Sequence, residues 1–268
     1  MTDSTVVAGG SRRVPTLLPA PVAARPTGRV LAAGREVLLV TALWMVYRVG
    51  RVLTAPDVSI ARANARSVWS WERALRLPAE TGLADLFARM EAIGRFASAY
   101  YAWVHFPLTV AVLLWLWLRR PAVYRWTRTT MALLTGAALV IHIAFPLAPP
   151  RMMTEFGFVD LGQLLGLSVY GPPASDHWSN QYAAMPSLHV GWAVLVAVAM
   201  VAALRGPWRW LWVAHPVVTV LVVVGTANHY WADAIVVVGL LGLSLLATRR
   251  LRPGVPTTGR RAAGLRTS

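Results

Sequence analysis

Four stretches of this chain, Ala97–Leu118, Thr129–Leu147, Leu188–Leu204 and Trp210–Ala227, contain no Asp, Glu, Lys or Arg. A fifth, Ala232–Thr248, contains only Asp233, in its first turn. Each runs 17 to 22 residues, close to the roughly 20 that a helix needs to cross about 30 Å of hydrocarbon. The length and the many Leu and Ala residues argue against strands. Val37–Leu53 is a weaker sixth candidate, because Arg48 and Arg51 lie near its end, from where long arginines snorkel to the headgroups. The expected fold is all-α: a polytopic membrane protein with six transmembrane helices. Composition agrees, with 56% hydrophobic and only 14% charged residues, against about a quarter charged in soluble domains. An ordinary water-soluble globule is disfavoured, and disorder over most of the chain is excluded. The absence of cysteine excludes a disulfide scaffold, a zinc knuckle and a cysteine nucleophile.

A formal net charge of +15 would by itself suggest a nucleic-acid partner. Its distribution argues otherwise, and no nucleic-acid partner is expected. All 26 basic residues are arginine, and 16 of them fall in four segments. These are Arg12, Arg13, Arg25 and Arg29; then Arg119, Arg120, Arg125 and Arg128; then Arg205 and Arg209; then Arg249, Arg250, Arg252, Arg260, Arg261 and Arg266. In a six-helix chain these segments share one side, which the arginine excess marks as cytoplasmic. Both termini are then cytoplasmic in a multi-pass plasma-membrane protein. The loop Ala148–Ser187, with one arginine and three acids, lies outside, as does the turn Asn228–Trp231. The link Thr54–Phe96 also falls outside. It mixes six Arg and five acids with Ile60, Val68, Trp69, Trp71, Leu75 and Leu77, which reads as an amphipathic interfacial segment between helices one and two. Trp115, Trp117, Trp126, Trp208 and Trp210 sit near span boundaries, as interface anchors should.

Residues 1–28 lack periodicity and read as a disordered cytoplasmic tail; Ser11-Arg12-Arg13 matches a twin-arginine signal only in part, because Pro15, Pro19 and Pro21 break the run after it. Residues 29–250 form the six-helix domain, with its core motifs in 140–245, and 251–268 read as a basic tail.

Three segments carry polar residues to the outer rim: Phe145-Pro146-Leu147-Ala148-Pro149-Pro150-Arg151, Met185-Pro186-Ser187-Leu188-His189 and Asn228-His229-Tyr230-Trp231-Ala232-Asp233. They are far apart in sequence but meet at one depth under this topology. Polar groups at that depth mark a site by default. His229 and Asp233, four apart, share a face if the turn is helical. A carboxylate beside an imidazole fixes its tautomer and makes the other nitrogen a better nucleophile or base. A plain helix-terminal His and Asp would show the same spacing. Ser187 reads as the N-cap of helix four, whose free amides suit a phosphate, and His189 stands where it can protonate a leaving oxygen. Arg151 can hold a phosphate with two parallel bonds, or simply snorkel. Tyr182, Asn180, Asn228 and Tyr230 are candidate pocket residues. His177 lies in the outer loop. His105, His142 and His215 read as helix-interior residues paired with polar neighbours. A metal site built from His189, His229 and Asp233 is the alternative, and it requires a ligand geometry that the sequence does not show.

Taken together, in this order, the three segments resemble the type 2 phosphatidic acid phosphatase superfamily. The strongest element is Ala184-Met185-Pro186-Ser187-Leu188-His189, where Leu188 replaces the Gly of the common phosphatase motif, as in the branch that includes fungal inositol phosphorylceramide synthase. The resemblance implies a lipid phosphatase or phosphotransferase acting on a lipid phosphate at the extracytoplasmic face. It needs no cofactor and no metal. His229 would attack phosphorus, with Asp233 orienting it. His189 would protonate the leaving alcohol, and Ser187 and Arg151 would bind phosphoryl oxygens. The alternative within the family is an inositol-type phosphotransferase making a phosphosphingolipid or phospholipid. The chain departs from the wider pattern: it has no lysine, and position 223, where an arginine is usual, is Val. Arg48, Arg51 and an arginine of the outer segment are the candidate replacements. The alternative from another class is a lipid or proton-coupled transporter. It is disfavoured because no span carries an ionised group near the bilayer midplane and no inverted repeat is visible.

Overall fold

The structure, a computed structural model, describes residues 26–53, 57–171 and 180–253. The chain divides into two units, residues 1–42 and 43–268. In the first, the described part is helical from Pro26 onward. The second carries the bundle and all three polar segments.

Among the described residues the second unit is helical, with no strand beyond an isolated bridge between Leu147 and Ala183. After α1 (Pro26–Leu53) come α2 (Val58–Ala74), α3 (Glu80–Arg89), α4 (Glu91–Ala99), α5 (His105–Arg119), α6 (Pro121–Ala144), the short α7 (Leu161–Leu164), α8 (Leu188–Ala203), α9 (Ala214–Gly225) and α10 (Trp231–Ala247). Among the described residues three continuous helices are long and apolar enough to cross a membrane: Glu91–Arg119, Pro121–Ala144 and Pro207–Gly225. Leu188–Ala203 and Trp231–Ala247 are apolar but shorter.

Local chemistry sets the boundaries. Pro121 opens α6, where its missing N–H is not needed. Pro146 forbids helical backbone at Phe145, which turns to φ −137°, so α6 stops at Ala144 although the apolar run continues to Leu147. Asp57 caps α2, its carboxylate accepting the Ser59 N–H at 2.8 Å. Tyr100–Val104 forms a π-helical turn between α4 and α5. Such turns accommodate one extra residue and recur at functional sites. Here Tyr101, within the turn, and His105, just after it, face the same cavity as His189 and His229.

α8 is the centre of the bundle, packing on α5, α6, α9 and α10. Its closest approach uses Gly191, where a Cβ would meet Val237 of α10 at 2.6 Å and Leu134 of α6 at 3.1 Å. The outward faces remain apolar: Val110, Leu118, Val140 and Leu243 are all more than 60% exposed. That surface suits lipid rather than water.

The link between α1 and the bundle is not one helix lying on a surface. α2 and α3 dock onto the polar end of the bundle. Ala61, Ala65 and Val68 of α2 are fully buried against Leu147, Ala148, Met153 and Tyr230. Asn64 donates to the Pro146 carbonyl at 2.8 Å and Arg62 to the Met152 carbonyl at 2.7 Å. Phe87 of α3 lies against bare backbone at Gly225, where a Cβ would fall 2.5 Å from its ring. The amphipathic pattern was legible in the sequence. Of its apolar residues, Val68 turns inward onto the protein, while Ile60, Trp71 and Leu75 are each more than half exposed.

Candidate active site

Backbone hydrogen bonds join the three polar segments. Leu147 N–H donates to Tyr182 O at 2.7 Å and Ala184 N–H to Leu147 O at 3.3 Å. Arg151 N–H donates to Ala227 O at 2.8 Å, and Ser187 N–H to Asp233 O at 3.2 Å. Their convergence is therefore a matter of direct bonding and not only of shared depth.

The turn between α9 and α10 carries the first pair. Ala227 takes a left-handed backbone, φ 54°, a conformation with a cost of about 1 kcal/mol for a residue with a Cβ. Asn228 and His229 then both donate their N–H to the Val223 carbonyl, at 2.9 and 3.0 Å. α10 begins only at Trp231, so His229 is not helical and no shared helix face joins it to Asp233. Asp233, in the first turn, reaches back instead. Its Oδ2 accepts the Tyr230 N–H at 3.0 Å and lies 3.0 Å from His229 Nδ1. Asp233 is fully buried and His229 is 5% exposed. With Nδ1–H donated to the carboxylate, the lone pair of His229 sits on Nε2.

His229 borders a cavity of about 210 Å³. His189, from the first turn of α8, borders it too, 6.1 Å away between ring centroids. Tyr101 stacks on His189 at 4.5 Å, and His105 lies 5.0 Å from it. His142 reaches the same cavity, with Nε2 3.2 Å from the Pro186 carbonyl. Arg151 completes the polar wall. Its Nη1 donates to Asn228 at 2.8 Å, its Nη2 to Gln181 at 3.1 Å, and its Nε lies 3.4 Å from Asp160. Its guanidinium also lies over the Tyr170 ring at 4.4 Å. Four histidines and one arginine face the space, and no Asp or Glu does among the described residues. Such a wall attracts an anion.

The expected site residues do not all reach this space. His229, His189, Arg151 and Asn228 line it, as does Asn180. Asp233 stands behind His229. Ser187 is fully buried and caps α8, its Oγ accepting the Val190 N–H at 3.5 Å, so its hydroxyl is turned to the helix. Tyr182 and Tyr230 belong to the apolar cluster under α2 instead. Burial pushes the Tyr230 phenol up, keeping it neutral. His215 pairs with the Tyr100 hydroxyl at 2.7 Å, as a helix-interior histidine should. His105 does not: neither ring nitrogen has a hydrogen-bond partner among the described residues.

Three of the six arginines of the outer segment are committed elsewhere. Arg62 binds the Met152 carbonyl, Arg66 pairs with Glu155, and Arg73 pairs with Glu80 over the Trp69 ring. The side chains of Arg48 and Arg51, and all of His177, lie outside the described residues. Among the described residues no three His, Asp or Glu side chains are grouped as a metal site requires. Sequence reasoning missed His105, His142, Gln181 and Tyr170. In an apolar helix, which face a histidine presents depends on helix rotation, and here on the π turn as well.

Comparison with known proteins adds one match. The family model of the PAP2 superfamily matches residues 66–247, which contain all three polar segments. No curated protein and no solved structure matches the chain.

Proposed function

Because the chain belongs to the PAP2 superfamily, we propose that it is an integral membrane enzyme hydrolysing or transferring the phosphoryl group of a lipid phosphate through a phosphohistidine at His229. The observation that carries this reading is the His229–Asp233 pair opening onto a cavity that faces His189 and Arg151 and has no carboxylate in its described wall. Nε2 of His229 attacks phosphorus, the P–O bond to the lipid alcohol breaks, and the leaving oxygen takes a proton from the His189 imidazolium. Asp233 stabilises the charge that forms on His229. Arg151 offsets the charge on the phosphoryl oxygens, with His105 as a further donor. Water, or an alcohol, then gives its proton to His189 and attacks phosphorus, and the P–N bond breaks. In an inositol-type phosphotransferase the phosphoryl group on His229 still carries an inositol ester, and the acceptor is the hydroxyl of a second lipid alcohol, which gives a phosphosphingolipid or phospholipid. Ser187 serves by capping α8 and so placing His189. A space of about 210 Å³ is smaller than the roughly 300–1,000 Å³ that drug-sized ligands occupy. It fits a phosphate headgroup and leaves the lipid tails in the bilayer.

The test is direct. The purified protein is given a panel of lipid phosphates, with and without inositol, and released phosphate and new phospholipids are measured. Phosphate release, or an inositol phospholipid, at a rate unchanged by chelator is the expected result. Turnover abolished by chelator would mean a metal mechanism and sink this one.

In the same reading six helices cross the plasma membrane: α1, α4–α5, α6, α8, α9 and α10, with cytoplasmic termini and the cavity on the extracytoplasmic side. The arginine distribution supports this orientation. Since the chain has no cysteine, single introduced thiols report it cleanly. Gln163→Cys should react with a membrane-impermeant maleimide on intact cells, and Arg205→Cys only after permeabilisation. The opposite pattern would invert the topology.

A further inference from the structure

We propose that Glu72 and Glu80 are positioning residues for the His229–Asp233 pair, holding the first turn of α10 by its backbone amides. This rests on the phosphohistidine reading of His229.

A helix start leaves its first amides without intrahelical partners. In α10 three consecutive amides are all taken by carboxyl groups. Tyr230 N–H donates to Asp233 Oδ2 at 3.0 Å, Trp231 N–H to Glu80 Oε1 at 3.4 Å, and Ala232 N–H to Glu72 Oε1 at 2.7 Å. Two of the three acceptors come from α2 and α3, more than 150 residues earlier in the chain. Both are buried, Glu72 at 1% and Glu80 at 0% exposure. The Trp231 indole N–H also donates to the Pro78 carbonyl at 3.0 Å, so the loop between α2 and α3 grips the same turn. This turn carries Asp233, and Asp233 orients His229. Reactive geometry is sensitive to displacements of about 1 Å, so loss of these anchors acts on the nucleophile without any contact to substrate.

The charges are arranged to match. Glu80 Oε2 lies 3.3 Å from Arg73 Nη2, so that pair is balanced. Burial, and then a hydrogen bond to Glu80, push Glu72 up to about 9. Glu72 is therefore neutral at physiological pH and adds no negative charge beside Glu80 and Asp233. Tyr230, which faces the same acids, is also neutral. The folded state holds the Glu72 proton more tightly than the unfolded chain does. Its contribution to stability is thus complete below pH 4.5, the ordinary value, and is lost as pH rises through about 9.

The experiment uses the full chain in lipid nanodiscs with a short-chain phosphatidic acid as substrate. Glu72→Met keeps the length but has no acceptor for the Ala232 N–H; kcat should fall about 10- to 100-fold with KM changed by less than about threefold. Glu72→Gln supplies the acceptor and resembles the neutral acid; it should restore kcat to within a few-fold of wild type. It should also extend activity above pH 9, and its melting temperature relative to wild type should climb between pH 5 and 9. An unchanged kcat in Glu72→Met, or an equal loss in both variants, overturns the proposal. Should Glu72→Met fail to fold, a high-pH limb that does not move in Glu72→Gln overturns it equally. Turnover surviving in His229→Ala would instead sink the reading of His229, whatever the Glu72 series does.

Discussion

Replacing His229 with Gln should lower turnover of a lipid phosphate by about 10⁴-fold or more, and no phosphoryl adduct should form on the chain. Losses of that size arise when the atom that forms the covalent intermediate is removed from a unit of residues acting together. Gln is chosen because it fits the space and can still hydrogen-bond to Asp233 Oδ2, which lies 3.0 Å from His229 Nδ1. The Asp233 carboxylate also keeps the Tyr230 N–H, so the turn should survive and the protein should melt near the wild-type temperature. The measurement is a rapid quench with ³²P-labelled substrate, followed by mapping of the acid-labile, base-stable label. Wild-type protein should carry it on His229. Normal turnover in the variant, or a label elsewhere, would remove the nucleophile from the mechanism.

Asp233→Asn should cost about 10³- to 10⁴-fold in kcat while leaving KM close to wild type. The analogous change beside the catalytic imidazole of a serine protease costs about 10⁴ through the wrong tautomer. Here the carboxylate is fully buried. Its Oδ2 receives both hydrogen bonds and its Oδ1 has no hydrogen-bond partner among the described residues. An Asn that keeps its oxygen on the Tyr230 N–H and the Nδ1–H buries its amide group at the Oδ1 position, where no acceptor lies among the described residues, and brings no charge to stabilise the imidazolium. If it turns its amide toward the ring, it donates to Nδ1 and moves the ring proton to Nε2, the atom that must attack. The variant should therefore bind vanadate, a phosphate mimic, yet form adduct slowly. A single-turnover rate equal to wild type would show that Asp233 is only a cap.

Much of this architecture was legible in the residues. Charge-free runs give away apolar helices because every turn must be buried or bathed in lipid. Ser187 marks a helix start because capping is local chemistry. The three polar segments stood out because they interrupt apolar sequence. Other features were not legible. Glu72 and Glu80 read as two charges among eleven in a mixed segment, since nothing in a charge pattern distinguishes a carboxylate facing water from one holding a distant amide. An arginine of the outer segment stood as a candidate phosphate ligand, but Arg62, Arg66 and Arg73 are held by Met152, Glu155 and Glu80. Tyr182 and Tyr230 neighbour the site in sequence, while their rings pack under α2.

The sequence by itself determined the helical class, the apolar character and the presence of His229, Asp233, His189 and Arg151 near helix ends. These come from transfer free energy and from the hydrogen bonds of single turns, which depend on neighbours a few residues away. Tertiary structure decided which groups face the cavity, that His105 and His142 join them, and that α2 and α3 anchor the turn of the nucleophile. Each of those outcomes depends on contacts between elements tens to more than 150 residues apart. Their partners are selected by how helices rotate and pack, and that information resides in no local window of the chain.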